Sequence, residues 1–240
     1  MESTVARVLA DGGELAGTDL NGADLREELG SPVKQGERRF TGCDLRGADL
    51  RGADLVGAVF TGCRVDGARL GRAVLDNAVF TGGGAPDADF TEAECADTRF
   101  GDIDLAGTRW DRALLAQTAF VGCRLSGADF RGSRGVGLSF AGCNLMLARM
   151  PRLGLRGQEL AGLRMDEADL GGADLRDTTW SRSALRGANL RGADLRGADL
   201  RGADLGEVVL GEAGWMRGAT VSAAQAQMLL AAMGVVVAAD

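Results

Sequence analysis

The chain has 240 residues and carries 34 acidic against 27 basic side chains, a formal net charge of −7. Histidine and tyrosine are absent and Lys34 is the only lysine, which removes histidine acid–base catalysis, histidine metal ligation and lysine Schiff-base chemistry. The acidic balance also excludes nucleic-acid binding by general attraction, since phosphates need a net positive surface; a basic protein partner is the natural complement. There is no signal-peptide pattern and no apolar run long enough to span a bilayer, so a cytoplasmic protein without membrane contact is expected.

In chain order, Leu15, Leu20 and Leu25 read as one turn of a five-residue repeat, which Gly30 and Gln35 break before Phe40 restores it in phase. The charged segment 26–39, with Pro32, reads as a loop: a tolerated insertion or a partner-contacting one. From Phe40 to Trp215 nearly every fifth residue is large and apolar, as at Leu45, Leu50, Leu55 and Phe60, and two residues before each stands a small one, usually Ala or Cys. A period of five fits neither the helix nor the strand, so the repeat is itself the structural unit.

A longer period overlies the short one. Phe40, Phe60, Phe80, Phe100, Phe120 and Phe140 stand twenty residues apart, continued by Leu160, Trp180 and Leu200, and Cys43, Cys63, Cys123 and Cys143 share that spacing. The column Asp49, Arg69, Asp89, Arg109, Asp129, Arg149, Asp169 alternates sign in the same steps, as stacked strands ~4.8 Å apart favour. Four pentapeptides therefore make one coil of an all-β solenoid, a quadrilateral β-helix. The phenylalanine column forms its structural core, the small residues fill the interior, and glycines such as Gly47 and Gly52 turn the corners. About nine coils give a rod ~43 Å long.

The pattern is disturbed at Gly83 to Pro86, at Gly135 to Leu138 and at Pro151 to Leu163, where the coil is expected to bend or bulge. "RGSRGVG" around Gly132, Gly135 and Gly137 looks like a phosphate-cradling loop but lacks a strand-to-helix context. After Trp215, Ser222 and Gln225 form a capping-box pattern, residues 223–233 are strong helix formers and Gly234 supplies a stop. The chain thus divides into a repeat β-helix over 1–220, with a loop at 26–39, and a helix and tail over 221–240. That helix carries no charge, and Met228, Leu229, Leu230 and Met233 exceed what covering one coil requires, so it is expected to be a dimerisation element.

No catalytic residue, metal site or cofactor is expected. Four of the five cysteines occupy the buried small-residue column, and a linear stack does not converge on a tetrahedral metal. Carboxylate pairs occur everywhere in such ladders and single out no active site. Asp87, Glu92, Asp97 and Asp102 do stand apart, taking the same corner position in four consecutive pentapeptides, with Glu94, Asp104 and Asp111 close by. Asp166, Glu167, Asp169, Asp174 and Asp177 form a second acidic region.

Units such as "CDLRG", "ADLRG" and "ANLRG" resemble the consensus of the pentapeptide-repeat family, whose fold is a right-handed quadrilateral β-helix. "CRLSGADFRGSRGVGLSF", "CNLMLARM" and the ending "GATVSAAQAQMLLAAMGVVV" are more narrowly similar to the Qnr and MfpA group, which protects DNA gyrase and topoisomerase IV from quinolones and related poisons. The resemblance implies an acidic rod that mimics DNA and a homodimer formed through Met228, Leu229, Leu230 and Met233. More loosely, it implies a topoisomerase-facing surface at Asp97, Asp102, Asp104, Asp166, Glu167, Asp169 and Asp174, in resistance or in self-immunity. Two other readings are a scaffolding repeat protein with a different protein partner, and ice binding by a flat face at Thr41, Thr61 and Thr81, a column that lapses at Gly101 and Val121.

Overall fold

The computed structural model describes residues 3–32, 37–206 and 216–237; the expectations placed on Gln35, Trp215 and the last three residues of the tail lie outside these. The elements are α1 (Ser3–Asp11), β1 (Gly13–Ala16), β2 (Arg38–Thr41), β3 (Val59–Thr61), β4 (Val79–Thr81), β5 (Arg99–Gly101), β6 (Ala119–Val121), β7 (Ser139–Ala141), β8 (Glu159–Ala161), β9 (Thr179–Ala184), β10 (Asp199–Asp204) and α2 (Ala223–Ala232). The strands form one parallel ten-stranded sheet in chain order, pairing Phe40 with Phe60 and Phe60 with Phe80. Isolated parallel bridges twenty residues apart, such as Asp44 with Arg64, Asp49 with Arg69 and Asp54 with Val74, make the three remaining sides. The result is a four-sided parallel β-solenoid.

Each side is built from the same backbone bonds. The Leu45 N–H donates to Arg64 O at 2.7 Å, Arg64 N–H donates back to Cys43 O at 3.0 Å, and Gly47 N–H donates to Asp66 O at 2.8 Å. In the regular coils three corners are tight turns, as where Ala48 N–H donates to Leu45 O at 3.1 Å, with the third turn residue in the left-handed region: Gly47 has φ 63°. The corner after the phenylalanine side is open. There the cysteines close the gap instead: Sγ of Cys63 and of Cys123 donates at 3.2 Å to the carbonyls of Phe40 and Phe100. The cysteine column is therefore a row of buried donors as well as of small hydrophobes.

Stacking brings like on like. The rings Phe40 through Phe140 lie face to face with centroids 4.4–5.2 Å apart. A second ladder, Phe90, Trp110 and Phe130, stacks on the opposite side and meets the first edge-on, Trp110 standing 5.4 Å from both Phe100 and Phe120. Trp110 Nε1–H donates to Thr108 Oγ1 at 2.9 Å, and Trp180 repeats the arrangement with Thr178 at 3.0 Å. A threonine thus replaces alanine at the small position where a buried indole needs an acceptor.

The disturbed coils compensate internally. At the centre of one side stands Gly135, where a Cβ would lie 2.3 Å from the Leu115 carbonyl carbon; the volume is restored by Leu138, fully buried at a position that the preceding coils fill with Ala78, Thr98 and Thr118. The first coil differs most. Within segment 26–39, Leu29 is fully buried and its carbonyl accepts from Asp54 N–H at 2.7 Å, so part of this segment belongs to the core. Among the described residues no central-residue N–H meets Asp54 O, and the buried guanidinium of Arg38 donates to it. Arg38 also donates to Leu9 O at 2.6 Å and Ser31 O at 2.8 Å, fastening α1 to the rod. Helix α1 was not anticipated; Leu9 is buried against the first coil, flanked by the partly buried Val5 and Val8. At the other end, residues 216–221 still pair with the solenoid, Thr220 bridging Asp199.

Among the described residues thirteen hold positive φ without being glycine, including the corner residues Asp87 (58°), Glu92 (60°), Asp97 (56°) and Asp102 (49°). Left-handed backbone costs an L-residue roughly 1–2 kcal/mol, which glycine avoids. Replacing Asp97 or Asp102 by Gly is therefore expected to leave stability unchanged or raise it by up to about 1 kcal/mol in denaturant melts; a loss of that size would mean that these carboxylates support the fold. Phe100→Ala, in mid-rod, is expected to cost about 3–5 kcal/mol, because stacked neighbours held by the backbone cannot collapse into the space. A loss below about 1 kcal/mol, the range of a surface change, would contradict its axial role.

Candidate partner-binding surface

Eleven of the nineteen ion pairs among the described residues join neighbouring coils. Arg69 reaches back to Asp49 (3.2 Å), Arg109 to Asp89 (2.6 Å) and Arg149 to Asp129 (3.5 Å), so the alternating column is a set of cross-coil pairs. Asp49 is only 3% exposed; the hydrogen bond from Arg51 holds its carboxyl below the usual carboxylate range. Glu92 lies between Arg72 and Arg112 at 2.7 and 2.5 Å and is held down chiefly by the Arg72 hydrogen bond.

The acidic residues singled out in the sequence divide against this background. Asp104 pairs with Arg124 at 3.0 Å and Asp174 with Arg176 at 2.6 Å, while Asp169 accepts from Gly171 N–H and from Asn189 Nδ2 at 3.0 and 2.8 Å. Asp97, Asp102, Asp166 and Glu167 have no arginine in salt-bridge reach among the described residues. Asp97 and Asp102 are exposed corners flanking the Arg99–Gly101 strand, and Asp104 continues from Asp102 onto the next side. Asp166, Glu167 and Asp169 sit around a different corner, with Asp174 on the side beyond. The structure brings each group together only in part, and the four corner acids Asp87, Glu92, Asp97 and Asp102 encircle the rod.

The side carrying the strands is unlike the other three. Its outward residues from β3 to β7 are Val59, Thr61, Val79, Thr81, Arg99, Gly101, Ala119, Val121, Ser139 and Ala141, so one charged residue interrupts an otherwise uncharged strip. Sequence reasoning also passed over Leu147, exposed at a left-handed corner with φ 60°. Its signal is a non-glycine residue at the third turn position.

Helix α2 stands over the last coil on a single polar anchor. Ser222 and Gln225 form the expected capping box, and Gln225 Nε2 donates to Leu200 O and Ala203 O, both at 2.8 Å. The helix ends in a Schellman motif: Val235 N–H bonds to Leu230 O and Gly234 N–H to Ala231 O, with Gly234 at φ 75°. Met228, Leu230 and Met233 are exposed, Leu229 is half-buried, and Val236 is 90% exposed. No charged residue lies between 223 and 237, so the end of the rod is an apolar surface.

Among the described residues, no group of three or more potential ligands converges on a metal position, and no helix is long and apolar enough to cross a membrane.

A family model described as pentapeptide repeats matches in eight copies over residues 39–77, 53–93, 98–134, 113–150 and 155–208. No curated protein matches the chain. Among solved structures, HetL, a pentapeptide repeat protein involved in heterocyst differentiation regulation from the cyanobacterium Nostoc, is 27% identical with a TM-score of 0.50, over 83% of this chain and 94% of that one. A trypsin-treated form of QnrB1, a plasmid-mediated fluoroquinolone resistance protein, is 21% identical with a TM-score of 0.57, over 94% of this chain and 99% of that one; this second likeness is one of fold. With more than half of its length matched by the repeat model, the chain belongs to the pentapeptide-repeat family.

Proposed function

We propose that this protein binds a type II topoisomerase, DNA gyrase or topoisomerase IV, in place of DNA, and so protects it from quinolone-like or natural poisons. In this reading it is a cytoplasmic homodimer without enzymatic activity. The observation that carries the reading is the pair Asp97 and Asp102: carboxylates free of arginine, exposed, and kept at corners where glycine costs less.

Shape and local charge, rather than overall charge, support the docking. Duplex DNA carries one charge per about 1.7 Å, and a net −7 over a rod of roughly 43 Å is several-fold sparser. Unpaired carboxylates can still meet the basic saddle on which gyrase holds its DNA segment. The two ends support a closed dimer: α1 covers one, and the uncharged α2 leaves the other apolar, so self-association at one end pairs two rods instead of building a filament. A scaffolding role with another protein is the second reading, favoured by the arginine ladders that neutralise much of the surface.

Two variants test the docking: Asp97→Gly with Asp102→Gly, and Asp166, Glu167, Asp169 and Asp174 reversed to Lys. At least one is expected to lose protection of gyrase supercoiling against a quinolone while keeping its circular dichroism and melting point, and protection by the parent should weaken with salt. Full protection by both folded variants would refute charge-based docking, and a parent that neither protects nor binds either topoisomerase would leave the scaffold reading in its place. Leu229→Asp with Met233→Asp should yield a folded monomer by light scattering; a parent already monomeric would remove the dimer.

A further inference from the structure

The corner after the second aromatic ladder carries, late in the rod, a surface cleft of about 660 Å³. Its lining contains Arg131, Arg152 and Arg191 against one carboxylate, Asp169, on a protein that is acidic overall. Down the corner column the residues are Arg131, Pro151, Gly171 and Arg191, and beside them run Gly132, Arg152, Gly172 and Gly192. The opening exists because Pro151, Gly171 and Gly172 put no long side chain over the backbone, while an arginine stands at each end and one at the side. The stem of Arg152 lies 3.3 Å from where a Cβ on Gly172 would be, so the glycine lets it lie along the floor.

The three arginines differ in commitment. Arg131 is held by Asp129 at 2.8 Å, whereas Arg152 and Arg191 have no carboxylate in salt-bridge reach among the described residues. Asp169 points one oxygen at Gly171 N–H and Asn189 Nδ2, which disperses its charge away from the arginines. Two guanidinium-bearing side chains without a carboxylate partner thus line a side-chain-poor hollow. Arg152 and Arg191 spring from positions two coils apart, about 10 Å, wider than one tetrahedral anion and suited to two linked ones held by fork-like N–H pairs.

We propose that this cleft binds a diphosphate group, with Arg152 and Arg191 as its principal donors. The segment "RGSRGVG" meets the cleft only through its first residues, Arg131 to Ser133, and contributes by leaving space rather than by wrapping a phosphate in backbone N–H groups. Anion binding here does not depend on the topoisomerase reading.

Calorimetric titration of the full chain with inorganic pyrophosphate is expected to show saturable one-to-one binding, weakened about tenfold or more in a variant carrying Arg152→Gln and Arg191→Gln. Since neither arginine makes an ion pair among the described residues, that variant should keep the parent melting temperature. Gly171→Leu, which fills the floor, should weaken binding without removing a charge. Equal affinity for ADP identifies a free diphosphate as the ligand and tighter binding a nucleoside diphosphate, and both carry the proposal. Absence of saturable binding, undiminished binding by the folded double variant, or citrate binding as tightly as pyrophosphate would overturn it.

Discussion

Each coil of this protein is hydrogen-bonded in register to the coil before and after it, residue over residue. That constraint dictates the rest. A central side chain meets another central side chain one strand spacing away, which favours columns whose members stack: flat rings on flat rings from Phe40 to Phe140, large apolar side chains on one another beyond it, and thiols or hydroxyls where a carbonyl awaits a donor. A departure at one level must be absorbed at the next position of the same coil, as Leu138 absorbs Gly135. Where an indole enters, a threonine two residues earlier accepts its N–H.

The same register acts on the outside with opposite consequences. Like charges stacked one strand spacing apart repel and opposite charges attract, and the sides built on aspartate and arginine columns resolve this by alternation, the arginine reaching back to the preceding coil. Charges so paired are of little use to a partner. What remains available are groups the ladder leaves out: corner carboxylates such as Asp97 and Asp102, arginines beside glycine gaps such as Arg152 and Arg191, and the uncharged strip on the strand side. Recognition by a rod of this kind therefore resides in its irregularities.

The two ends pose the problem of an unpaired sheet edge, and they solve it differently. At the first coil Arg38 stands in for a missing backbone donor and ties α1 across the end through Leu9 O, leaving a finished surface. At the last coil Gln225 alone binds the carbonyls of Leu200 and Ala203, and the helix it carries turns apolar side chains outward. One end is closed by burial and the other is covered but remains adhesive.

Much of this was legible in the one-dimensional pattern, because a solenoid with a fixed coil length writes its tertiary neighbours into the sequence at a constant spacing. Coil length, the axial phenylalanine column, the glycine corners and the alternating charges all follow from that regularity, and the capping box of the last helix follows from the local pairing of Ser222 with Gln225. Phe90, Trp110 and Phe130 were spaced to be read in the same way, but their edge-on contact with the first ladder depends on the width of the coil. Other features were decided only in three dimensions. Leu29 enters the core out of phase, and Arg38 bonds to carbonyls contributed by three separate segments. Acids at one repeat position, which look like a cluster on paper, point to four sides of the rod, since each successive pentapeptide turns a corner. Spacing along the chain determines what stacks on what; the direction in which each side faces, and the partner that a phase break finds, are set by the closure of the coil in space.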